Sequence, residues 1–184
     1  MSITLRTIEE SDLGLIMQWR MDPDITRYMN TDPVLTMEGQ LKWLVSIKDR
    51  EDVAYWVIVI DDVPAGVINI TGLDREDGAC GWGYYVGEKS KRSLKAALSL
   101  EMSMYDYLFV ELGKESLTSD VFSLNKGVIQ LHLMCGCDVI EERKAAVTKK
   151  GVDYDVTYLV MNKEKWLAIR DTKKYEPISF QRTK

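Results

Sequence analysis

The residues with the clearest chemical potential form a basic turn between a predicted strand and a predicted helix. The strand covers residues 81–87, the turn covers residues 88–93 and holds two lysines and an arginine, and the helix covers residues 94–109. The first amides of a helix lack intrahelical acceptors, and the helix dipole favours negative charge beside them. We therefore interpret this turn as an anion site, and our hypothesis is that it holds the pyrophosphate of a nucleotide-like cofactor.

This basic turn stands out because the chain as a whole is acidic. The sequence has 24 lysine and arginine residues against 29 aspartate and glutamate residues, a formal net charge of −5 at pH 7. A general nucleic-acid binder would present a broad basic face. We therefore expect a local anion site and no nucleic-acid partner.

Length and composition predict a single domain over residues 1–184. The chain is 46% hydrophobic and 29% charged, which is enough for a sizeable core. We expect that core to span about residues 3–162, followed by a C-terminal helix and tail over residues 163–184. The first ten residues lack the apolar segment of a signal peptide, and no run approaches the roughly 20 apolar residues of a membrane helix. We therefore expect a soluble, cytoplasmic protein without membrane contact.

The potential metal ligands do not form a recognisable metal site. The chain has three cysteines, Cys80, Cys135 and Cys137, and one histidine, His132. Two cysteines separated by one residue lack the spacing and the partners of a zinc site. We therefore expect reduced, partly buried thiols and no bound metal.

Hydrophobic periodicity predicts how the chain positions these residues. Apolar or alternating runs predict strands at residues 2–8, 54–60, 65–71, 79–86, 117–122, 137–143 and 152–161. Apolar residues at helical spacing predict helices at residues 13–20, 37–48, 94–109, 125–134 and 163–169, with a short helical turn at residues 25–29. The polar tail, residues 171–184, is expected to lie over the surface or fray. This order predicts a mixed α+β arrangement around one sheet.

The segment 125–137 resembles a signature of the GNAT acyltransferase superfamily, N-x-x-A-I-x-x-Y-x-x-x-G-F. The pattern is met at Asn125, Ile129 and Gly136, and it is not met at Val128, His132 and Cys137. The order of predicted elements also matches that superfamily over nearly the whole chain. The resemblance implies a GNAT-like fold: a central, mixed, mostly antiparallel twisted sheet flanked by helices, here with an extra C-terminal helix. It also implies an N-acetyltransferase that uses acetyl-CoA.

His132 occupies the position where the superfamily carries a tyrosine. That tyrosine is the usual proton donor to the departing CoA thiolate, and a histidine can donate a proton near neutral pH. The resemblance therefore implies a catalytic role for His132. The alternative is that this histidine only fills space or hydrogen-bonds a carbonyl group.

The basic turn resembles the superfamily motif R/Q-x-x-G-x-G/A, whose backbone amides bind the pyrophosphate of CoA. Ser90, Ser93 and Lys95 fall at its three defined positions, so the glycines are absent. Three interpretations are open. The serine hydroxyls and the basic side chains compensate for the missing glycines, or the turn is reshaped and binds CoA weakly. In the third interpretation it is only a solvated charged turn. The implied cofactor-binding residues are Tyr85, Val86, Lys89, Ser90, Lys91, Arg92, Ser93, Leu94, Lys95 and Asn125.

Direct acetyl transfer requires removal of a proton from the attacking amine. Backbone N–H groups of residues 83–86 would polarise the thioester carbonyl. The position where many relatives carry a glutamate falls near Cys80, which is no obvious base. Tyr84 and Tyr85 are candidates, although tyrosines on a strand are often packing residues, and deprotonation through water is the other hypothesis.

Two further segments narrow the acceptor. Residues 19–29 resemble the W-R-N-x-P … R-x-x-M segment of nucleotide-aminosugar N-acetyltransferases, with Met21 in place of the asparagine, and residues 81–87 resemble their W-G-x-Y-x-G strand. The resemblance implies transfer to the 4-amino group of a UDP-linked 4-amino-4,6-dideoxy sugar, as in pseudaminic acid biosynthesis. Arginine forks suit phosphate, and aromatic rings stack on uracil or sugar faces. The implied substrate-binding residues are Arg20, Arg27, Trp43 and Trp82.

Three alternatives stay open at this point. In the first, the acceptor is a protein N-terminus, and in the second it is a polyamine. In the third, the domain has lost catalysis and only binds a ligand or partner. The sequence also leaves the oligomeric state open, with a homodimer as one candidate.

Overall fold

The structure is a computed structural model, and it describes residues 1–181. Residues 182–184, the end of the predicted tail, lie outside the described residues. The strands are β1 Ile3–Thr7, β2 Val53–Ile60, β3 Val63–Thr71, β4 Ala79–Val86, β5 Ser116–Phe122, β6 Asp138–Lys149, β7 Val152–Asn162 and β8 Ser179–Phe180. The α-helices are α1 Leu13–Arg20, α2 Pro23–Thr26, α3 Met37–Lys48, α4 Leu94–Asp106, α5 Lys126–Cys135 and α6 Lys163–Ile169.

All described strands belong to one sheet in the order β6-β7-β5-β4-β3-β2-β1-β8. The pairs β4–β5 and β1–β8 are parallel, and the other pairs are antiparallel. The predicted α+β fold, with a mixed and mostly antiparallel sheet flanked by helices, is therefore confirmed. The extra C-terminal helix is confirmed as α6.

Local sequence explains the central hairpin. β2 and β3 are rich in branched apolar residues, and a two-residue turn at Asp61 and Asp62 joins them. Both aspartates have positive φ angles, 49° and 63°, as a turn that matches the twist of a hairpin requires. The Asp61 carboxylate also accepts the amide of Ser2 at 2.9 Å, which ties the hairpin turn to the start of β1.

The sheet separates two apolar clusters. One lies between the sheet and α4–α6 and includes Leu5, Ile68 and Leu100, and the other lies beneath α1 and α3 and includes Trp19 and Val67. Burial of this apolar surface from both sides stabilises the sheet as the middle layer. The sheet therefore acts as the rigid support for the site.

The parallel strands β4 and β5 pair over a short distance and then separate. Pairing covers only Ala79–Gly81 with Ser116–Thr118. Beyond this point β4 stays paired with β3, and β5 stays paired with β7. The indole Nε1–H of Trp82 donates to the hydroxyl of Ser119 at 2.7 Å and bridges the two strands where they diverge. The result is a wedge-shaped opening in the middle of the sheet.

The tail lies over the surface, but it includes a strand at residues 179–180 that the sequence did not predict. Ser179 and Phe180 form a parallel edge strand beside Thr4 and Leu5, and the Phe180 ring stacks on Tyr107 with 4.3 Å between ring centroids. The segment is polar overall, so nothing in the sequence indicated that Phe180 packs into an apolar groove. Tertiary packing therefore overrides the local preference for exposed coil.

Two other predicted boundaries also differ from the structure. The helix predicted at residues 94–109 is α-helical only to Asp106 and then continues as a π-helical turn, Tyr107–Glu111. The strand predicted to end at Arg143 continues to Lys149, with irregular pairing between Arg143 and Val147. Most of β6 is exposed, so its pattern of apolar residues carries little information about where it ends.

Gly66 lies where β3 approaches β4 too closely for a side chain. A Cβ atom at this position would lie 2.0 Å from the carbonyl oxygen of Tyr85. We expect Gly66→Ala to lower the free energy of unfolding by about 1–3 kcal/mol, because β4 would have to move. Chemical denaturation measures the change.

Gly14→Ala is the matched control. Gly14 lies in α1, and a Cβ there meets nothing within 4 Å. This substitution should be neutral or stabilise the protein by up to about 1 kcal/mol. A Gly66→Ala protein as stable as the Gly14→Ala protein would contradict the packing argument.

Candidate active site

Two cavities lie on either side of the outer half of β4. The α5-side cleft, about 360 Å³, occupies the wedge between β4 and β5 and reaches α5. The α3-side cavity, about 500 Å³, lies under the segment that follows α2 and extends to α3. Both volumes fall in the usual range for small-molecule sites. Six residues line both cavities: Tyr28, Met29, Gly83, Tyr84, Tyr85 and Asp120.

Asp120 is the carboxylate that the two cavities share. It lies on β5 just beyond the point where β4 and β5 separate, and it is exposed. Among the described residues, no other aspartate or glutamate lines both cavities. Sequence reasoning missed Asp120, because its position opposite β4 depends on the pairing of distant strands.

His132 is buried on α5 with one edge on the α5-side cleft. Its side chain is 4% exposed, and its Nδ1 atom lies 2.7 Å from Oε1 of Glu101. Within residues 1–181, the Nε2 atom makes no hydrogen bond to a protein group. The carboxylate therefore engages one ring nitrogen and leaves the other available to a ligand in the cleft.

Glu101 is a second residue that sequence reasoning missed. It lies on α4, is 0% exposed, and also accepts a hydrogen bond from the Tyr105 hydroxyl, which is 3.1 Å from the Cys137 sulfur. A signal was present in the sequence, since Glu101 falls three residues after Leu98 and four before Tyr105, on the predicted apolar face. A charged residue at a buried helical position indicates a specific partner.

The two tyrosines of β4, Tyr84 and Tyr85, border both cavities, but their raised pKa values argue against a role as the general base. Burial raises the pKa of Tyr84 well above its ordinary value, and the nearby Glu101 carboxylate raises it further. Burial also raises the pKa of Tyr85. Both phenols therefore hold their protons at neutral pH. Tyr84, the predicted catalytic tyrosine, lies where the two cavities meet, and its phenol can donate a hydrogen bond there.

The basic turn satisfies most of its own amides. The amide of Ser90 bonds to the Glu88 carboxylate, and the amides of Lys91 and Arg92 bond to the carbonyls of Glu88 and Lys89. These three amides are therefore occupied. The predicted role of their residues in binding the cofactor must rest on their side chains.

The free amides lie at the start of α4. Ser93 caps this helix, its hydroxyl accepting the amide of Ala96 at 3.1 Å. Within the described part of the chain, the amides of Leu94 and Lys95 have no hydrogen-bond acceptor. They are the backbone donors that an anion would meet first, and they lie in line with the helix dipole. The predicted anion site therefore narrows to residues 93–95.

The basic side chains of the turn contact protein groups. Lys89 lies 2.5 Å from Asp24, Lys91 lies 3.4 Å from Asp61, and Lys95 lies 2.6 Å from Glu176. These are exposed pairs, so each contributes little to stability and can open for a ligand.

Arg92 is the member of the basic turn that lines the α5-side cleft. Its guanidinium donates to the carbonyls of Val86 and Gly87 at 2.7 and 3.2 Å. This contact closes the end of β4 and places a positive charge beside the mouth of the cleft.

The four predicted acceptor-binding residues divide between the two cavities. Arg20 and Trp43 line the α3-side cavity, where the Trp43 ring meets Tyr55 edge-on at 5.4 Å. Arg27 and Trp82 line the α5-side cleft instead. Of the predicted cofactor residues, Tyr85, Val86, Arg92 and Asn125 line that same cleft.

A sheet opened between two parallel strands, beside free helix N-terminal amides, is the arrangement of an acyltransferase that takes a CoA thioester. Residues 2–138 match the family model described as an acetyltransferase (GNAT) domain, and the chain belongs to that family. Its activity is acetyl transfer, and its acetyl donor is acetyl-CoA. In residues 1–181, no helix is long and apolar enough to cross a membrane.

Proteins named as acetyltransferases resemble this chain in sequence or in fold. The chain is 25% identical over 138 residues to acetyltransferase PseH of Campylobacter jejuni, covering 74% of this chain and 83% of that protein. It is 22% identical over 167 residues to an uncharacterised N-acetyltransferase, YokL, of Bacillus subtilis, covering 90% and 92% of the two chains. The Vibrio cholerae spermidine N-acetyltransferase, solved with CoA and spermine, superposes with a TM-score of 0.83 at 17% identity, covering 90% of this chain and 98% of that chain.

Proposed function

We propose that this protein transfers acetyl from acetyl-CoA to the 4-amino group of a UDP-linked 4-amino-4,6-dideoxy sugar of the pseudaminic acid type. The observation that carries this proposal is the lining of the α3-side cavity. It combines the rings of Trp43 and Tyr55, the amides of Gln40 and Asn69, and one guanidinium, that of Arg20. Aromatic faces and amides suit a sugar, and a guanidinium suits a diphosphate.

A polyamine acceptor is the rival function, and the spermidine N-acetyltransferase fold provides its support. A polyamine carries several positive charges and requires several carboxylates for recognition. Within residues 1–181, Asp120 is the one carboxylate that lines the α3-side cavity, and Arg20 adds a positive charge there. The lining therefore has no excess of negative charge, which argues against a polycation as the acceptor.

The α5-side cleft, together with the start of α4 just after Arg92, fits acetyl-CoA on two observations. The amides of Leu94 and Lys95 are free to hold the pyrophosphate, and the edge of β4 that faces the wedge has no paired strand over residues 82–86. When bound there, acetyl-CoA supplies the activated acetyl group. Backbone donors on this open edge would stabilise negative charge that develops on a carbonyl oxygen.

We infer that Asp120 and His132 handle the protons of the reaction. Asp120 stands between the two cavities and accepts the proton of the acceptor ammonium, either directly or through one water molecule. His132 presents Nε2 to the α5-side cleft and holds the proton for the thiolate that leaves. Asp120 therefore acts as the base for the acceptor amine, and His132 acts as the acid for the CoA thiolate.

Measurement of thiol release with a panel of acceptors tests the proposed function. Untagged protein is assayed with acetyl-CoA and UDP-4-amino-4,6-dideoxy sugars, spermidine or peptides with free N-termini. We expect turnover with an aminosugar nucleotide at kcat/KM at least about 10²-fold above spermidine. Turnover of spermidine alone would replace the proposal with the polyamine function. No acetyl-CoA binding at all would indicate a non-catalytic domain.

Arg20 offers a direct test of the acceptor site. We expect Arg20→Gln to raise the KM of the nucleotide sugar about 10-fold to 100-fold, because a charged hydrogen bond is worth about 1.5–3 kcal/mol. The KM of acetyl-CoA should stay within about threefold, since Arg20 does not line the α5-side cleft. Steady-state kinetics with each substrate varied in turn provide both constants.

Arg50→Gln is the matched control for Arg20→Gln. Arg50 is exposed, pairs with Asp52 and lines neither cavity. Both KM values should remain at their wild-type level. If Arg20→Gln raised the KM of acetyl-CoA and left that of the sugar unchanged, the assignment of the two cavities would be wrong.

Three other features stay predictions. They are the homodimer, the cytoplasmic location and the single domain with its core over residues 3–162.

A further inference from the structure

Glu101 is a fully buried carboxylate that no strongly basic side chain neutralises. It is 0% exposed, and in the described part of the chain no lysine or arginine contacts it. An isolated buried charge costs several kcal/mol, so it persists only beside donors or a cation. His132 and Tyr105 both face its Oε1 atom, whereas Oε2 has no partner within residues 1–181.

The other groups around Glu101 are held neutral. Tyr84 faces it from β4, Tyr105 from α4 and Cys135 from α5, and Cys137 lies beyond Tyr105. Burial raises the pKa of Tyr84, Tyr105 and Cys135, and raises the pKa of Cys137 to about 12. None of these four can supply a positive charge. His132 is therefore the one contacting side chain able to become a cation beside this carboxylate.

We propose that Glu101 is a positioning residue that fixes the proton and the orientation of His132. Its carboxylate accepts Nδ1–H, which directs Nε2 to the α5-side cleft. When Nε2 gives its proton to the departing thiolate, the ring becomes neutral and keeps the proton on Nδ1. The acceptor nitrogen releases its second proton to solvent as the amide forms, and solvent in the open cleft returns one proton to Nε2, so the protons balance. This inference rests on the proposed role of His132.

The first test measures the tautomer of His132 and requires no turnover. The chain contains a single histidine, so nitrogen NMR of untagged wild-type protein reports only this ring. We expect the neutral ring to carry its proton on Nδ1, the form that Glu101 selects. A neutral ring protonated on Nε2 would overturn the proposal, whether or not any variant folds.

The second test is kinetic. Glu101→Gln keeps the shape of the side chain and removes its charge, and we expect kcat to fall at least about tenfold with both KM values within about twofold. Tyr105→Phe is the matched control, because it removes the other hydrogen bond to the same oxygen and leaves the contact with His132. Its kcat should stay within about threefold of wild type. A Glu101→Gln enzyme with wild-type kcat would overturn the proposal.

The outcomes separate this inference from the proposed function. An Nδ1–H ring together with a His132→Gln enzyme of wild-type kcat would support the pairing and reject the acid role of His132. Loss of activity in His132→Gln with full activity in Glu101→Gln would keep the acid role and reject the positioning role.

A bound cation is the rival arrangement for these side chains. Glu101, His132 and Cys137 each place one potential ligand atom within 4.8 Å of the others. The 2.7 Å contact between Glu101 and His132 is a hydrogen-bond distance. One equivalent of zinc retained by the purified protein in elemental analysis would overturn the proposal. A metal-free protein with an Nδ1–H ring supports it.

Discussion

Replacement of His132 by glutamine is expected to lower kcat by about 10²-fold to 10⁴-fold, the usual contribution of a general acid. The amide fills most of the space of the imidazole but cannot supply a proton to the leaving thiolate. The KM of acetyl-CoA should change by less than about threefold, because the backbone donors of β4 and of α4 remain in place. Steady-state assays of thiol release measure both constants.

Leu133→Gln is the matched control for His132→Gln. Leu133 is the next residue on α5, is 38% exposed and does not line the α5-side cleft. It should keep a near wild-type kcat, and circular dichroism should show that both variants are folded. Wild-type kcat in a folded His132→Gln enzyme would mean that the histidine only fills space, and another proton donor would have to be sought.

Replacement of Asp120 by asparagine is expected to lower kcat about 10²-fold to 10⁴-fold at neutral pH. Asparagine keeps the size of the side chain and cannot accept the proton of the acceptor ammonium. Activity should recover in part as the pH rises, because the amine then loses its proton without help from the enzyme. A pH series of kcat/KM for wild type and variant measures this recovery.

Asp74→Asn provides the corresponding control. Asp74 lies in the exposed loop between β3 and β4 and lines neither cavity. It should behave as wild type across the pH series. If Asp120→Asn also behaved as wild type, water alone would deprotonate the acceptor and Asp120 would have no role in proton transfer.

Short-range patterns predicted most of the fold. The helices Met37–Lys48 and Lys163–Ile169 and the strand Ala79–Val86 have the predicted bounds, because their apolar spacing and flanking turn residues are local signals. The element order, together with the segment 125–137, was enough to indicate the family. The three matching positions of that segment lie on or next to α5, where the motif requires them.

The same patterns failed where a contact depends on a partner far away in the chain. Phe180 forms an edge strand because β1 and Tyr107 offer it a groove, and nothing in residues 171–181 encodes those neighbours. The basic turn predicted an anion site, but only its folded geometry showed that Glu88 and Lys89 occupy three of its amides. The motif without glycines did not indicate which amides of the turn are free to bind an anion.

Residue types and their spacing along the chain were sufficient for the family and for the acetyl donor, since each depends on a motif contained in one or two elements. The same motif made His132 a candidate, and its catalytic role stays a prediction. The separation of β4 from β5, the position of Asp120 between two cavities and the pairing of Glu101 with His132 came from the tertiary structure alone. Each of these joins elements that lie apart in the sequence, and only the packing of the sheet against α4 and α5 brings them together. In our proposal, the basic turn is the outer end of a site whose chemistry lies deeper, at β4, β5 and α5.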